Sequence, residues 1–451
     1  MAVAVARRVA LEVLQRIESA DSYANLLLPQ LVKRNRLDTR DAALAQELAF
    51  GSIRRKSTLE AIVLHAAGRN PGDIDFETMH VLVLGAYQLL LTRVATHAAI
   101  NESVEQAKTV AHGKSSGLVN AVLRKVMSKS WDEWLSTLEQ NAPTEISKLS
   151  IRYSHPEWII TALKLALSAD GRADELPALL EADNEAPVVN LAAIPGLATT
   201  HDTALLDQHP SSPIGYVMHG GLPGALDAVA DGRMRVQDAG SQLVALAVSD
   251  IEKPKPGDKW LDLCAGPGGK SVVLAAEARQ ASVELICNEP SPHRAKLVRQ
   301  ALSDSGFENR VTQNDGRDIT GKFSRILIDA PCTGLGALRR RPEARWRKSP
   351  ADVKQLNQLQ LELVRSAWDA LEPGGYLFYS TCSPHPSETI GIIEKSLRDL
   401  GPSAQLVDAT ALLQRISPTL RLTEGRKTIQ LWPHRDDTDA MFLAIIRKSV
   451  S

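Results

Sequence analysis

Residues 259–271 read KWLDLCAGPGGKS: a short apolar run, then three glycines and a proline in four positions, then lysine and serine. The run has the length of a buried strand, and the glycines mark a tight strand-to-helix turn. Further strand candidates follow: VELICNE (283–289), RVTQND (310–315), RILIDAP (325–331) and YLFYSTC (376–382). Helical stretches start near Lys270, Pro292, Ala351 and Ser387. Strand and helix in alternation imply a parallel sheet with crossover helices. Residues 234–451 are therefore expected to form an open, doubly wound α/β domain of the Rossmann-like kind.

Toward the N-terminus the pattern changes. Leu11, Leu14 and Ile17, then Leu82, Ala86, Leu89 and Leu90, recur at helical spacing, with turns at Asn70-Pro71-Gly72 and His112-Gly113-Lys114. No strand-like alternation interrupts them, so residues 1–130 are expected to be an all-α domain. Residues 131–233 give a weaker signal and are expected to be a connecting subdomain. Within it VVNLAAIP (188–195) is a strand candidate, and a Pro/Gly-rich run extends from Pro210 to Gly224. A length of 451 residues fits such a multi-domain layout. The core from residue 146 onward is expected to be self-contained.

With 52 basic and 53 acidic residues, bulk charge does not mark the chain as a binder of polyanions. Apolar segments are broken by charges before they span a bilayer, and the N-terminal stretch continues as helix through its arginines. No membrane partner and a cytoplasmic location are expected. The four cysteines, Cys264, Cys287, Cys332 and Cys382, are too far apart in sequence for a zinc ribbon or a redox pair, and no metal is expected. Cys287 lies inside an apolar strand candidate and reads as a small buried hydrophobe.

The turn from Cys264 through Ala265, Gly266, Pro267, Gly268 and Gly269 to Lys270 invites three readings. A phosphate-binding loop needs glycine where Cys264 stands, so that reading fails. A dinucleotide fingerprint needs glycine where Ser271 stands, which disfavours it without closing it. S-adenosylmethionine carries no phosphate; it needs close backbone approach to its amino-acid part, and a helix N-terminus favours its carboxylate. Glu289, about 20 residues on, stands where an acidic residue would hold ribose hydroxyls. Asp315 ends the third strand candidate and is placed for the adenine side.

Asp329 and Cys332 end the fourth strand candidate, and Cys382 ends the fifth. Ligands of open α/β sheets bind beyond the carboxyl ends of the strands, so both thiols are expected to face one crevice beside the cofactor. Two thiols there suit one reaction well. Carbon 5 of cytosine is a poor nucleophile until a thiolate adds to carbon 6; afterwards the carbon 5 proton must leave and the thiol be expelled. Asp329 would stabilise charge building on the ring. A strand-end carboxylate in a turn is the plainer reading of that residue.

Three blocks, CAGPGGK (264–270), DAPCTG (329–334) and YSTCS (379–383), resemble the motifs of RNA cytosine-5 methyltransferases. The resemblance spans roughly 234–448, including VQDAGSQL (236–243) and the closing DAMFLAIIRK. It implies that Cys382 is the nucleophile and that Cys332 assists release. It also implies cofactor contacts from the turn of residues 264–270, Glu289, Asp315 and Asp329. The chain departs from the pattern at Ala440-Met441, where Gly-Phe is commoner, and at Thr333, where serine is frequent.

LRRRPEARWRK (338–348) follows Cys332 closely. Arg339, Arg340, Arg341 and Arg345 offer phosphate contacts and Trp346 a stacking face for an unpaired base, against the plainer reading of a solvated charge run. The helical domain resembles the NusB-like RNA-binding module through ELAFG (47–51), LGAYQL (84–89), NESV (101–104) and VNAVLR (119–124), with Arg54, Arg55 and Arg124 as its candidate RNA contacts. A NusB-like domain ahead of this catalytic domain is the layout of the bacterial 16S ribosomal RNA cytosine-5 methyltransferases of the Sun or RsmB type. That resemblance implies 16S RNA as partner. A monomer is expected.

Overall fold

The computed structural model describes residues 3–19, 23–110, 115–221, 223–307 and 310–450. The expected turn at His112-Gly113-Lys114 thus lies outside the described residues. The chain divides into two compact units. One comprises Met1–Lys164, Asp174–Ala186 and Leu338–Arg347; the other comprises Leu165–Ala173, Pro187–Ala337 and Lys348–Ser451.

The first unit is helical, as its periodicity predicts. Helices run Val5–Ser19, Ala24–Arg34, Thr39–Arg54, Lys56–Ala67, Phe76–Leu91, Thr96–Val110 and Ser116–Val126, and continue with Trp131–Glu139 and Glu145–Tyr153. Their starts are set by local chemistry. Asp38 and Asp75 accept from the backbone N–H groups of Asp41 and Thr78, and Ser130 with Glu133 forms a reciprocal capping box. Leu14, Leu48, Ile62, Leu84 and Leu123 lie in one buried core, to which Trp134 also belongs. The indole N–H of Trp134 donates to the Val126 carbonyl at 2.8 Å. This packing is why residues just beyond 130 join the helices; the connector expected over 131–233 is divided between the two units.

The second unit holds two sheets. The smaller is antiparallel, built from β1 (Val189–Ala193), β2 (Asp207–Gln208), β3 (Gly215–Met218) and β4 (Met234–Val236) in the order β2-β3-β1-β4. β1 is the strand expected within VVNLAAIP. The larger sheet contains β5 (Lys259–Asp262), β6 (Glu284–Asn288), β7 (Val311–Thr312), β8 (Phe323–Asp329), β9 (Leu371–Thr381), β10 (Ala404–Val407), β11 (Ile429–Gln430) and β12 (Phe442–Lys448). Its order is β10-β12-β9-β8-β5-β6-β7, with β11 paired to β12. Pairs among β5 to β9 are parallel, whereas β12 is antiparallel to both β9 and β10.

Side chains alternate across this sheet with the period of two that a strand imposes. Ile326, Ile328, Leu377, Tyr379, Phe442 and Ala444 pack with residues of helices Pro350–Ala370 and Ile390–Leu400. Leu327, Phe378, Leu443 and Ile445 face the other way, onto helices Ala239–Asp250, Gly269–Ala281 and Pro292–Asp304. Burial on both faces explains why these strands read as continuous apolar runs. The chain turns back at β5, with β6 on one side and β8 on the other, which makes the carboxyl end of β5 the switch point of the sheet. Among the described residues no helix is long and apolar enough to cross a membrane.

Candidate functional site

The glycine-rich turn follows β5 and opens helix Gly269–Ala281. Gly268 sits at φ 105°, a conformation side chains rarely tolerate. At Gly266 the constraint is space. A Cβ there would lie 2.3 Å from Oε2 of Glu289 and 2.8 Å from Nε of Arg294. Glu289 is buried just beyond β6, accepting from the backbone N–H of Gly266 at 3.1 Å and of Ser291 at 3.0 Å. Arg294 closes the group, pairing with Glu289 at 3.3 Å and donating to the Gly266 carbonyl.

Asp262 lies beneath the turn with its side chain enclosed, and burial raises its pKa to about 7 although the Ser271 hydroxyl donates to it at 2.7 Å. Burial likewise pushes the Cys264 thiol far up, aided by the nearby Asp262 and Asp329 carboxylates. Lys270 extends from the helix start to Asp329 at the end of β8, Nζ to Oδ2 2.9 Å. Burial works against its ammonium, but the Asp329 charge and hydrogen bond outweigh this and raise its pKa.

The two remaining cysteines meet. Cys332 follows β8, Cys382 follows β9, and their sulfurs stand 3.5 Å apart. The Cys332 thiol is held well above its usual range by its hydrogen bond to Cys382, by burial and by nearby negative charge. The chain is fastened on both sides of Cys332: Ala330 N–H donates to the Ser380 carbonyl at 2.8 Å and Gly336 N–H to the Cys382 carbonyl at 2.9 Å. The Ala440 N–H returns to the Gly336 carbonyl at 2.8 Å, so the departure at Ala440-Met441 keeps a backbone contact beside the thiols. Cys287 is fully enclosed in the core and far from ionising, as the plainer reading expected.

Other expectations meet a different environment. Asp315 lies beyond the end of β7, exposed, with its carboxylate taken by Arg317 at 2.7 and 2.9 Å, which lowers its pKa to about 2. The basic segment is no open RNA face at Arg345, Arg339 or Trp346. Arg345 is fully buried in the helical unit and donates to the carbonyls of Arg54 (3.1 Å), Ser154 (3.2 Å) and Asp183 (3.0 Å), and to Asn184 Oδ1 (2.9 Å). Arg339 is buried too, its carbonyl accepting from Arg54 at 2.9 Å. The Trp346 indole N–H is bound to the Ile53 carbonyl at 2.9 Å and its ring packs on the helical core. Arg54, a candidate RNA contact, is equally interior. A charge run hides such burial because guanidinium groups can be satisfied by carbonyls. Arg340 and Arg341 stay half-exposed.

Sequence reading also missed Arg294 and Gln237. The Gln237 side chain lies 3.7 Å from where a Gly269 Cβ would stand, and its Oε1 is buried without a partner. An orphan acceptor beside a helix N-terminus, next to a turn with no room for side chains, fits the amino-acid end of S-adenosylmethionine. Buried Glu289 fits its ribose. No metal-ligand cluster occurs among the described residues.

Residues 250–447 match the family model of 16S rRNA methyltransferase RsmB/F, and residues 4–128 match the NusB family. Ribosomal RNA small subunit methyltransferase B of Salmonella paratyphi B is 33% identical, over 83% of this chain and 85% of the relative. The chain belongs to the RsmB/F family of 16S rRNA methyltransferases. The Mycobacterium tuberculosis protein Rv1407 is 44% identical over 98% of this chain and 96% of its own length. Two solved structures share the fold. PH0851 has a TM-score of 0.81 and 20% identity, covering 99% of this chain and all of its own. A methyltransferase homolog protein from Pyrococcus horikoshii has a TM-score of 0.54 and 22% identity, covering 67% of this chain and 98% of its own. Like its family, this RsmB/F member takes its methyl group from S-adenosylmethionine, and its helical N-terminal part is NusB-like.

Proposed function

We propose that this protein methylates carbon 5 of a cytosine in RNA, 16S ribosomal RNA by its relatives' names, through a covalent bond between Cys382 and carbon 6. The observation that carries the reading is the thiol pair: two sulfurs 3.5 Å apart at the carboxyl ends of neighbouring strands, with the Lys270–Asp329 pair beside the first of those strands. A methyltransferase acting on an exocyclic nitrogen or a protein amide has no use for two thiols.

The target base must leave its stack to reach this crevice. The Cys382 thiolate adds to carbon 6, and the ring π electrons move toward N3, where the Lys270–Asp329 pair supplies a charged donor and a carboxylate to hold the proton gained. Bound S-adenosylmethionine supplies an electrophilic methyl group to the now nucleophilic carbon 5. Then N3 returns its proton to the Lys270–Asp329 pair, the Cys332 sulfur takes the carbon 5 proton, the electron pair left behind restores the carbon 5–carbon 6 double bond, and the bond to Cys382 breaks with its electrons returning to that sulfur. The turn of Cys264–Lys270, Glu289, Gln237 and Asp315 form the cofactor side in this reading; Asp315 joins it only if Arg317 yields. Arg340 and Arg341, both half-exposed, are the residues of the basic segment that would meet phosphate in this reading.

Replacing the thiols one at a time tests the assignment. Cys382→Ala should abolish methylation while leaving cofactor affinity near wild type. Cys332→Ala should carry the reaction to the adduct and stop there. Labelled RNA on a denaturing gel would then show a slow protein–RNA band that requires S-adenosylmethionine, absent from the double variant. A band that persists in the double variant, or none from Cys332→Ala on a verified substrate, would reverse or remove these roles.

A further inference from the structure

Glu388 lies six residues after Cys382, in the single turn Pro386–Glu388, and has no exposed surface. Enclosing a carboxylate is costly unless donors meet its oxygens. Here they do. Oε1 accepts from the Thr333 backbone N–H at 2.8 Å; Oε2 accepts from the Thr333 hydroxyl at 2.5 Å and the Ser383 hydroxyl at 2.6 Å. Gln360 adds a longer bond to Oε1 at 3.4 Å and also donates to the Pro331 carbonyl at 2.9 Å. From the sheet below, the Tyr379 hydroxyl donates to the Glu388 carbonyl at 2.8 Å.

The partners are the informative part. Thr333 follows Cys332 directly and Ser383 follows Cys382 directly, so one carboxylate grips the residue next to each thiol. Cys332 stands in the loop after β8; bonds at the Ala330, Pro331 and Gly336 backbone fix the loop on either side, and the Glu388 carboxylate bonds both the residue after Cys332 and the residue after Cys382. Group placement within about half an ångström is what a proton transfer at a bound ring demands. We propose that Glu388 is a positioning residue that sets Cys332 against Cys382 for product release. The inference rests on the two-thiol reading above.

A carboxylate that only held the loops together would weaken every step alike. A positioning role predicts a selective fault: the adduct still forms on Cys382, while removal of the carbon 5 proton lags. Glu388→Ala and Glu388→Gln in the full chain separate the two. Glutamine is isosteric; its oxygen can accept from the Thr333 N–H and its amide can donate to the reoriented hydroxyls, so turnover should stay close to wild type. Alanine should lower kcat by up to about 100-fold, the cost of an ångström-scale misplacement. Its cofactor affinity should be unchanged by calorimetry, and the slow protein–RNA band should accumulate on the denaturing gel.

Cys332→Ala is run beside them. If it gives the band and Glu388→Ala turns over normally without one, the proposal is overturned while the two-thiol reading stands. If Cys332→Ala itself gives no band, that reading fails and takes the proposal with it. Equal loss of cofactor binding, adduct and turnover in both Glu388 variants would reduce the residue to scaffolding. Should Glu388→Ala not fold, the Thr333→Val, Ser383→Ala double variant removes both hydroxyls but keeps the carboxylate and the backbone bond. It must show the same adduct accumulation for the proposal to hold.

Discussion

At Asp262 a single side chain carries a measurable consequence of burial. Enclosed beneath the glycine turn, with one oxygen unpartnered, it prefers the neutral form, and its pKa rises to about 7. A carboxyl whose folded pKa lies above the unfolded value binds its proton more tightly in the native state, so stability from this group is lost as pH rises from about 4 through 7. Asp262→Asn keeps an acceptor for Ser271 and removes the ionisation. Its melting temperature should exceed wild type by several degrees at pH 8, with the gap closing toward pH 5; an equal offset at both values would mean that ionisation is not the cause. Residue by residue, the site's legibility followed sequence distance. Cys332, Cys382 and the Cys264–Lys270 turn were readable because each lies in a short run whose chemistry is local. Glu388, Gln237 and Arg294 were not, because a buried polar residue is recognised by the donors around it, and those come from other strands.

Among the elements, the glycine turn has the narrowest tolerance. Glu289 is pinned by two backbone N–H groups and cannot step aside for a methyl group at Gly266, since doing so would strand a buried charge. Gly266→Ala should therefore weaken S-adenosylmethionine binding tenfold or more, about 1.4 kcal/mol, measured by calorimetry. Unaltered affinity would show that the turn relaxes easily. The strands of this sheet were read with fair accuracy because burial on both faces leaves uninterrupted apolar runs. RVTQND was the exception: only Val311–Thr312 pairs, since Asn314 N–H turns to the Asn288 side chain at 3.1 Å and Asp315 to Arg317. β12 went unread as a strand although Phe442 to Ile446 is a continuous apolar run. Nothing local says that it slots antiparallel between β9 and β10, a pairing between segments far apart in the chain.

For the whole molecule, the decisive feature is that neither unit is continuous in sequence. A core self-contained from residue 146 was the expectation, yet Leu338–Arg347 folds with the helices. Its ties are numerous: Ala24 N–H to Glu343 at 3.2 Å, Arg54 to the Arg339 carbonyl, Trp346 to Ile53, and Arg345 at the centre of four acceptors. Burial draws the Arg345 pKa down to about 9, a sign of how little water reaches it. A chain beginning at 146 keeps this segment and three of the four Arg345 acceptors but loses Ala24, Ile53 and Arg54, so Trp346 is stripped of the helical core it packs on and Glu343 and Arg345 each lose a partner. Such a truncation should express as an aggregation-prone protein that binds a hydrophobic dye. Replacing 338–347 by a flexible linker of equal length should restore solubility and cofactor binding without restoring RNA methylation. In the intact chain, Arg345→Met removes the donor while leaving four acceptors dry, and each unpaired buried acceptor costs about 1–3 kcal/mol. The helical unit should then melt well below wild type. If the truncation from 146 proves monomeric and stable with the segment intact, the segment's bonds to the helices matter little and the catalytic unit is independent after all.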